Sequence, residues 1–260
     1  MFVHPQIDPI ALSIGPVDIR WYGLMYLFAF TVGGLLAMKR ARLPRSGWST
    51  DEVSDFVFYS ALGVILGGRI GYSLFYNFSY YIKHPVEIFY LWNGGMSFHG
   101  GLIGVAIALF FYARHTKRRW FEVTDFFVPL APLGIGAVRI ANFINEELWG
   151  RVTSSPWGVI FPSAGLEPRH ASQLYEALFE GFVLFVILWF YTQKKRSLGR
   201  PSGLFLVGYG VARFTIEFFR EPDAHLGFIA FDWLTTGQLL TIPMIGIGLW
   251  LMLRSSNTSN

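Results

Sequence analysis

The chain has 260 residues, of which 53% are hydrophobic, 18% aromatic and only 15% charged. A soluble protein carries about a quarter charged residues, so this composition excludes an ordinary soluble domain and predicts an integral membrane protein. The absence of cysteine excludes a disulfide framework, a thiolate metal site and a thiol nucleophile belonging to the chain itself. The net charge of +4 comes from short basic clusters beside apolar segments, which favours membrane topology over nucleic-acid binding.

Apolar segments of membrane-spanning length recur along the whole chain. A helix needs about 20 apolar residues to cross the hydrocarbon core of a bilayer. The sequence predicts seven such helices, at residues 19–38, 55–75, 97–113, 123–143, 172–192, 202–219 and 237–253. The predicted fold is therefore an all-α integral membrane protein, a single domain over residues 1–260 that forms a bundle of seven transmembrane helices.

The basic residues predict the orientation of this bundle, because Lys and Arg accumulate in cytoplasmic loops. Thirteen of the 21 basic residues follow the first, third, fifth and seventh spans: Lys39, Arg40, Arg42, Arg45, Arg114, Lys117, Arg118, Arg119, Lys194, Lys195, Arg196, Arg200 and Arg254. Five lie on the opposite side: Arg20, Lys83, Arg151, Arg169 and Arg220. The bias alternates at each crossing, which predicts an external N-terminus and a cytoplasmic C-terminus.

Two connections are too long or too aromatic to be simple loops. Residues 144–171 carry two tryptophans and three prolines and predict a small structured cap on the outer face, between the fourth and fifth helices. Residues 75–92 are rich in Tyr and Phe and predict a segment that lies at headgroup depth.

Three arginines, Arg69, Arg139 and Arg213, fall inside predicted spans. An arginine at the centre of a membrane helix costs about 2.5–3.5 kcal/mol, so each needs a partner or a hydrated cavity. Internal salt bridges would be a purely structural explanation, but the carboxylates within the spans look too few to neutralise all three. Guanidinium groups bind phosphate oxygens in a bidentate manner, so the missing anion is expected to be a lipid phosphate.

Other polar side chains accompany these arginines at helical spacing. Tyr209, Arg213, Glu217 and Arg220 share one face of the sixth predicted helix, where Glu217 can pair with either arginine. On the fourth, Arg139 and Asn142 share a face, and the polar run continues to Glu147. The expected internal partners, which orient the arginines rather than react, are Gln173, Glu176, Glu180 and Asp125.

His99 begins the third predicted helix and is followed by two glycines. Imidazole titrates near neutrality and can accept a proton, and glycines permit the close approach of a ligand or a helix. A histidine with a purely structural hydrogen bond is equally compatible with this position. The pairs Gly33-Gly34, Gly67-Gly68 and Gly100-Gly101 are expected to serve helix packing.

Several segments, in order along nearly the whole chain, resemble the prolipoprotein diacylglyceryl transferase family. They are Arg20-Trp21-Tyr22-Gly23, Gly68-Arg69-Ile70-Gly71-Tyr72, His99-Gly100-Gly101, Arg139-Ile140-Ala141-Asn142-Phe143-Ile144-Asn145-Glu146-Glu147, Gln173-Leu174-Tyr175-Glu176, and Tyr209 through Arg213 and Glu217 to Arg220-Glu221-Pro222-Asp223. The stretch from Arg139 to Glu147 is similar to the signature of that family.

The resemblance implies transfer of a diacylglyceryl group from phosphatidylglycerol to the lipobox cysteine of a preprolipoprotein, with release of glycerol 1-phosphate. It implies a location in the bacterial inner membrane, with the active site toward the periplasmic leaflet and with membrane lipids and the signal peptide as partners. The reaction calls for no metal and no cofactor. The candidate catalytic residues are His99, Arg139, Arg213 and Glu217. The candidate substrate-binding residues are Tyr26, Arg69, Asn142, Glu147, Tyr209 and Arg220.

In this hypothesis Arg139 and Arg213 hold the lipid phosphate and stabilise the charge that develops on the leaving group. A thiol has a pKa of about 8.5, so a neighbouring base or a positive field must favour the thiolate. His99 is the first candidate for the base, and the pair of Arg213 and Glu217 is the alternative.

Two other functions are compatible with buried arginines. A lipid phosphatase would use a site such as Arg200-Pro201-Ser202-Gly203, but no histidine follows, and a turn before the sixth helix explains these residues better. A transporter of anionic lipids would be expected to contain inverted repeats or paired broken helices, and the sequence shows neither pattern.

Overall fold

The computed structural model describes residues 2–15, 17–44, 46–91, 94–222, 227, 229 and 233–254. Arg45, Trp92 and Asp223, which enter the sequence patterns above, lie outside the described residues. Most of the described chain is helical, as the composition predicts. It forms two compact units: unit 1 comprises Met1–Gly33 with Asp125–Asn260, and unit 2 comprises Gly34–Thr124.

Unit 1 contains the helices that carry most of the predicted site. Helix α1 spans Trp21–Ala41, and its first thirteen residues belong to this unit. A helical stretch from Trp120 to Ile144, which belongs to unit 1 from Asp125 onward, consists of α5 (Trp120–Phe127), a 3₁₀ turn at Val128–Leu130 and α6 (Ala131–Ile144). The last helices of the chain are α9 (Arg200–Ile216) and α10 (Thr236–Leu253).

The helical stretch at Ser172–Tyr191 is interrupted by a wider turn. It comprises α7 (Ser172–Glu176), a π-helical segment at Ala177–Val183 and α8 (Leu184–Tyr191). π-Helical turns inside α-helices are rare and frequently accompany functional sites. This one carries Glu180.

The predicted cap is a small folded element. Strand β4 (Val159–Ile160) pairs antiparallel with β5 (Pro168–Arg169), and a 3₁₀ turn lies between them at Pro162–Ala164. Strand β1 (Phe2–Val3) pairs in parallel with β4, so the N-terminal residues complete a three-stranded sheet. Phe161 is fully buried in an apolar cluster with Val159 and Ala171. This burial gives the cap its own small core.

Strands β2 (Ile10–Ile14) and β3 (Val17–Arg20) form an antiparallel hairpin that leads directly into α1. Asp8 fixes the start of this hairpin, because its side chain accepts a hydrogen bond from Ile10 N and its carbonyl accepts one from Trp21 Nε1. The entry of the chain into α1 is therefore held by hydrogen bonds before the helix begins.

Unit 2 is built around α2 (Thr50–Phe75) and α4 (Phe98–His115). The segment between them forms α3 (Phe78–Tyr81) and a 3₁₀ turn at Pro85–Phe89. The two long helices touch through glycines: a Cβ on Gly67 would lie 2.4 Å from Gly100 O, and one on Gly104 would lie 2.0 Å from Gly63 O. The packing role predicted for Gly67 and Gly100 is confirmed, since no side chain fits between these backbones.

All seven predicted spans are helical. Among the described residues, five helices are long and apolar enough to cross a membrane: Trp21–Ala41, Thr50–Phe75, Trp120–Ile144, Ser172–Tyr191 and Thr236–Leu253. The other two are α4, which carries Arg114 and His115 in its last turn, and α9, which has 17 residues and contains two arginines. The all-helical, multi-pass character is thus confirmed, while the number seven and the orientation stay predictions.

Candidate active site

Two of the three predicted intramembrane arginines converge on one buried carboxylate in unit 1. Nε of Arg139 on α6 lies 3.1 Å from Oε2 of Glu176, and Nη1 of Arg213 on α9 donates a hydrogen bond to Oε1 of the same residue. The Glu176 side chain is fully buried, whereas the arginine side chains keep 18% and 13% of their surface exposed. Glu176 therefore orients both guanidinium groups, as predicted, and leaves part of each accessible.

Close contact between two glycines brings these helices together. A Cβ on Gly181, in the π-helical segment, would lie 2.7 Å from the Cα of Gly136 on α6. Arg139 follows Gly136 by three residues and Glu180 precedes Gly181, so both lie beside this contact. The backbone approach thus sets the distance between the arginine and the glutamates.

Glu217 completes the charged cluster on α9. Its Oε2 lies 2.7 Å from Arg213 Nη2, and its Oε1 lies 3.7 Å from Arg220 Nη1. The pairing predicted from the spacing of these residues is confirmed. Oε1 also accepts a hydrogen bond of 3.0 Å from Thr235, which caps the N-terminus of α10 through Gln238 N. The carboxylate is therefore held from two helices.

A second polar network lies at the C-terminal end of α6. The hydroxyl of Tyr22 donates to Glu147 Oε2 and accepts from Asn142 Nδ2, while Asn142 Oδ1 lies 3.4 Å from Arg139 Nη1. These contacts connect Asn142 and Glu147 to Arg139, and the substrate-binding role of the two residues stays a prediction. Tyr22 is the functional candidate that the site prediction omitted. The signal was present, because Tyr22 stands in one of the segments that carry the family resemblance.

The turn after α6 holds Glu147 in place. Glu146 and Leu148 have φ of 52° and 56°, which is uncommon for residues other than glycine. Burial alone raises the pKa of Glu146, but hydrogen bonds from Ser163 and the adjacent His4 together hold that pKa below its ordinary value. The ionised Glu146 therefore anchors the turn to the cap.

The number of buried carboxylates near the arginines differs from the number that we expected from the sequence. We define the arginine–glutamate cluster as Arg139, Arg213, Arg220, Glu176, Glu180 and Glu217. It contains as many carboxylates as guanidinium groups, so the expectation of too few internal carboxylates is wrong. Glu180 and Glu217, which the helical spacing had already indicated as partners of the arginines, supply two of these three carboxylates.

Asp125 does not contact the cluster through any hydrogen bond. Its carboxylate accepts hydrogen bonds from Gly199 N at 2.6 Å and from the backbone and hydroxyl of Ser202 at 3.0 and 2.6 Å. The predicted role of Asp125 as an arginine partner is therefore corrected: it caps the N-terminus of α9. The same contact confirms that the segment around Ser202 begins a helix.

Arg69 also has a different environment from the one predicted. It lies in unit 2, is 2% exposed, and directs all of its N–H groups at backbone carbonyls of the segment that follows α2. The acceptors are the carbonyls of Glu87, Ile88, Tyr90, Gly94 and Gly95. No N–H group is left for a lipid phosphate, so the substrate-binding prediction for Arg69 is corrected to a structural one.

The remaining candidates are Tyr209, Tyr26 and His99. Tyr209 precedes Arg213 by one helical turn and interacts electrostatically with it and with Glu180. Tyr26 lies one turn after Tyr22 and is 38% exposed. His99 lies exposed in the first turn of α4 in unit 2. The role of His99 as a base stays a prediction.

The arginine–glutamate cluster has hydrogen-bond donors that can bind an anion. In the part of the chain that the structure describes, no residue accepts a hydrogen bond from Nη2 of Arg139. Guanidinium groups that are oriented by carboxylates and partly exposed offer fixed donors to phosphate oxygens. Among the described residues no group of three or more His, Asp or Glu side chains has the arrangement of a metal site.

Comparison with known proteins identifies the family. The family described as prolipoprotein diacylglyceryl transferase matches residues 9–254. A protein of Coxiella burnetii named phosphatidylglycerol–prolipoprotein diacylglyceryl transferase is 56% identical over 248 residues, which cover 95% of each chain. A protein of the same name from Nitratidesulfovibrio vulgaris is 53% identical over 255 residues, which cover 98% of this chain and 96% of the relative. Another from Legionella pneumophila is 54% identical over 251 residues, which cover 96% of this chain and 98% of the relative. The chain therefore belongs to the prolipoprotein diacylglyceryl transferase family.

Proposed function

We propose that the chain transfers the diacylglyceryl group of phosphatidylglycerol to the lipobox cysteine thiol of a preprolipoprotein, forming a thioether and releasing glycerol 1-phosphate. Membership of the family makes it a transferase of lipoprotein biosynthesis. The observation that carries the proposal is the pair of partly exposed arginines, Arg139 and Arg213, held side by side by Glu176.

In the reaction, the thiolate sulfur attacks the carbon of the diacylglyceryl group that is bonded to a phosphate oxygen. The carbon–oxygen bond breaks, its electron pair remains on the phosphate, and the thiol proton passes to a base. Arg139 and Arg213 bind the phosphate and stabilise the negative charge that develops on the leaving oxygen. Glu176 orients the hydrogen-bond donors of both arginines, so these donors reorganise little as the charge develops.

The other candidates take supporting roles in this proposal. Asn142, Glu147 and Tyr22 position the headgroup beside Arg139, and Tyr26 and Tyr209 flank the lipid. Glu217 and Arg220 keep Arg213 in place. For the base we propose His99 first, from the chemistry of imidazole and the family resemblance, and the pair of Arg213 and Glu217 as the alternative. Near-normal transfer by both His99→Ala and His99→Gln would remove His99 from this role.

The membrane arrangement completes the proposal. Residues 1–260 act as a single membrane domain of seven spans with an external N-terminus, in the bacterial inner membrane. The cap between the fourth and fifth spans faces the periplasm, so that the active site meets a signal peptide after its export. The alternating basic clusters support this orientation.

The direct test is incubation of the purified protein with phosphatidylglycerol and a lipobox peptide, followed by mass spectrometry. We expect a diacylglyceryl adduct with the wild type and a loss of at least about a hundredfold with Arg139→Ala. Arg42→Ala, an exposed arginine outside the cluster, is the matched control and should retain transfer.

Three further measurements distinguish the proposed transfer from the alternative functions. A peptide with serine in place of cysteine should remain unmodified. Release of phosphate from a lipid phosphate without any thiol acceptor would instead identify a phosphatase. Movement of an anionic lipid between leaflets without chemistry would identify a transporter.

A further inference from the structure

Glu180 is a buried carboxylate to which the proposed reaction gives no role. Its side chain is fully buried, and neither of its oxygens has a hydrogen-bond partner among the described residues. The nearest cationic atom is Nη1 of Arg213 at 4.0 Å, beyond hydrogen-bond distance. An ionised carboxylate without hydrogen bonds in a dry interior is unfavourable, so this group is the least stabilised anion of the cluster.

Charged and titratable groups face Glu180 from three sides. Glu176 lies one turn earlier on the same helical stretch, Arg139 faces it from α6, and Arg213, Glu217 and Tyr209 face it from α9. Glu176 and Glu217 each have an oxygen within 3.1 Å of a guanidinium nitrogen. Among the described residues, neither oxygen of Glu180 comes this close to a guanidinium nitrogen.

The charge balance changes when an anion enters. With all members ionised, the arginine–glutamate cluster is neutral by its composition. A lipid phosphate, which the proposed function requires at Arg139 and Arg213, would leave one negative charge in excess within a largely buried site. Like charges in such an environment favour protonation of the carboxylate that is least well stabilised.

We propose that Glu180 takes up a proton when the phosphate of an anionic lipid binds to Arg139 and Arg213, and releases it when the anion leaves. Glu180 thereby keeps the cluster neutral in both states, and the two arginines can turn toward the lipid without exposing an uncompensated charge. Glu180 acts through the arginines and is a positioning residue. This inference rests on the proposed function, because it assumes that an anionic headgroup occupies this cluster.

The wild-type protein provides the first test, which needs no substitution. Phosphatidylglycerol is added to the protein in weakly buffered detergent that contains a pH indicator, with phosphatidylcholine as the control lipid. We expect the uptake of about one proton for each phosphatidylglycerol bound, and none with phosphatidylcholine. Infrared difference spectra should show the C=O stretch of a protonated carboxyl group on binding.

Substitution then assigns the proton to one residue. Glu180→Gln mimics the protonated carboxyl group permanently, so the infrared band and the proton uptake should disappear. Wild-type affinity for phosphatidylglycerol should rise as the pH falls, by up to about tenfold per pH unit, whereas the affinity of Glu180→Gln should not change over the same range. The exposed Glu167→Gln in the cap is the matched control and should behave as the wild type.

The outcomes separate this inference from the function on which it rests. If phosphatidylglycerol binds and the diacylglyceryl group is transferred without proton uptake, the role of Glu180 is refuted and the function stands. Persistence of the infrared band in Glu180→Gln would likewise refute it. If the protein neither binds phosphatidylglycerol nor modifies the peptide, the proposed function fails first. Should Glu180→Gln not fold, the absence of proton uptake by the wild type would still refute this role. Glu180→Asp, which keeps the carboxyl group, would then assign the proton by a shift of the infrared band.

Discussion

The contact between Gly136 and Gly181 predicts a graded loss of activity when methyl groups are introduced. In Gly181→Ala the new Cβ would lie 2.7 Å from the Cα of Gly136, whereas carbon atoms in favourable contact are about 3.5–4.0 Å apart. The helices must therefore separate by about 1 Å, and such overpacking costs about 1–3 kcal/mol of stability. Arg139, three residues from the contact, moves with α6.

A displacement of about 1 Å at a reacting group can cost about a hundredfold in rate, so Gly181→Ala should lose transfer to roughly this extent. Gly136→Ala should lose less, because its Cβ would lie 3.2 Å from the Cα of Gly181. Gly134→Ala is the control on the same helix, since among the described residues its Cβ would approach only Ala29 Cβ, at 3.9 Å. Replacing glycine by alanine raises helix propensity, so this control should be at least as stable as the wild type.

The assay is transfer to a lipobox peptide in nanodiscs that contain phosphatidylglycerol, measured with thermal unfolding of the same preparations. We expect the transfer activity to decrease from Gly134→Ala to Gly136→Ala and further to Gly181→Ala. Equal transfer by Gly181→Ala and Gly134→Ala, at equal stability, would show that the glycine contact does not set the position of Arg139.

Three other predictions concern separate parts of the chain. Tyr22→Phe removes the hydroxyl that joins Glu147 to Asn142, so transfer should fall by about ten- to a hundredfold at nearly unchanged thermal stability, while Tyr191→Phe should have no effect on transfer. Arg69→Lys offers three donors where five carbonyls accept, and it should lower the thermal stability more than it changes the KM for phosphatidylglycerol; the reverse pattern would restore a substrate-binding role. Transfer should persist in excess chelator, because no step requires a metal, and its loss would contradict the mechanism.

The helices could be predicted from the sequence because each carries its own signal. Apolar length and the polar residues at either end define a membrane helix locally. All seven predicted spans are accordingly helical, with ends that differ by a few residues, and five of them are long and apolar enough to cross a membrane. The spacing of Arg213, Glu217 and Arg220 is likewise a local property, and both pairings of Glu217 follow from it. The π-helical turn at Ala177–Val183 has no comparable signal.

The environments of the buried charges depended on contacts between distant segments. Arg69 and Arg139 look alike in the sequence, since both are single arginines in apolar spans. Arg69 binds the carbonyls of a segment about twenty residues away, whereas Arg139 contacts Glu176 on a different helix. Asp125 and Glu180 were both expected to partner arginines. Asp125 instead caps α9, whereas Glu180 lies 4.0 Å from Arg213 Nη1 and has no hydrogen bond among the described residues.

The sequence by itself determined that this chain is a multi-pass helical membrane protein of the diacylglyceryl transferase family, because hydrophobicity, basic clusters and motifs are read along the chain. Only the tertiary structure decided which buried charges compensate one another and which arginine keeps donors for a ligand. The physical reason is that the energy of a charge in a membrane protein depends on the groups that surround it in space, and close helix contacts such as that of Gly136 with Gly181 bring those groups together.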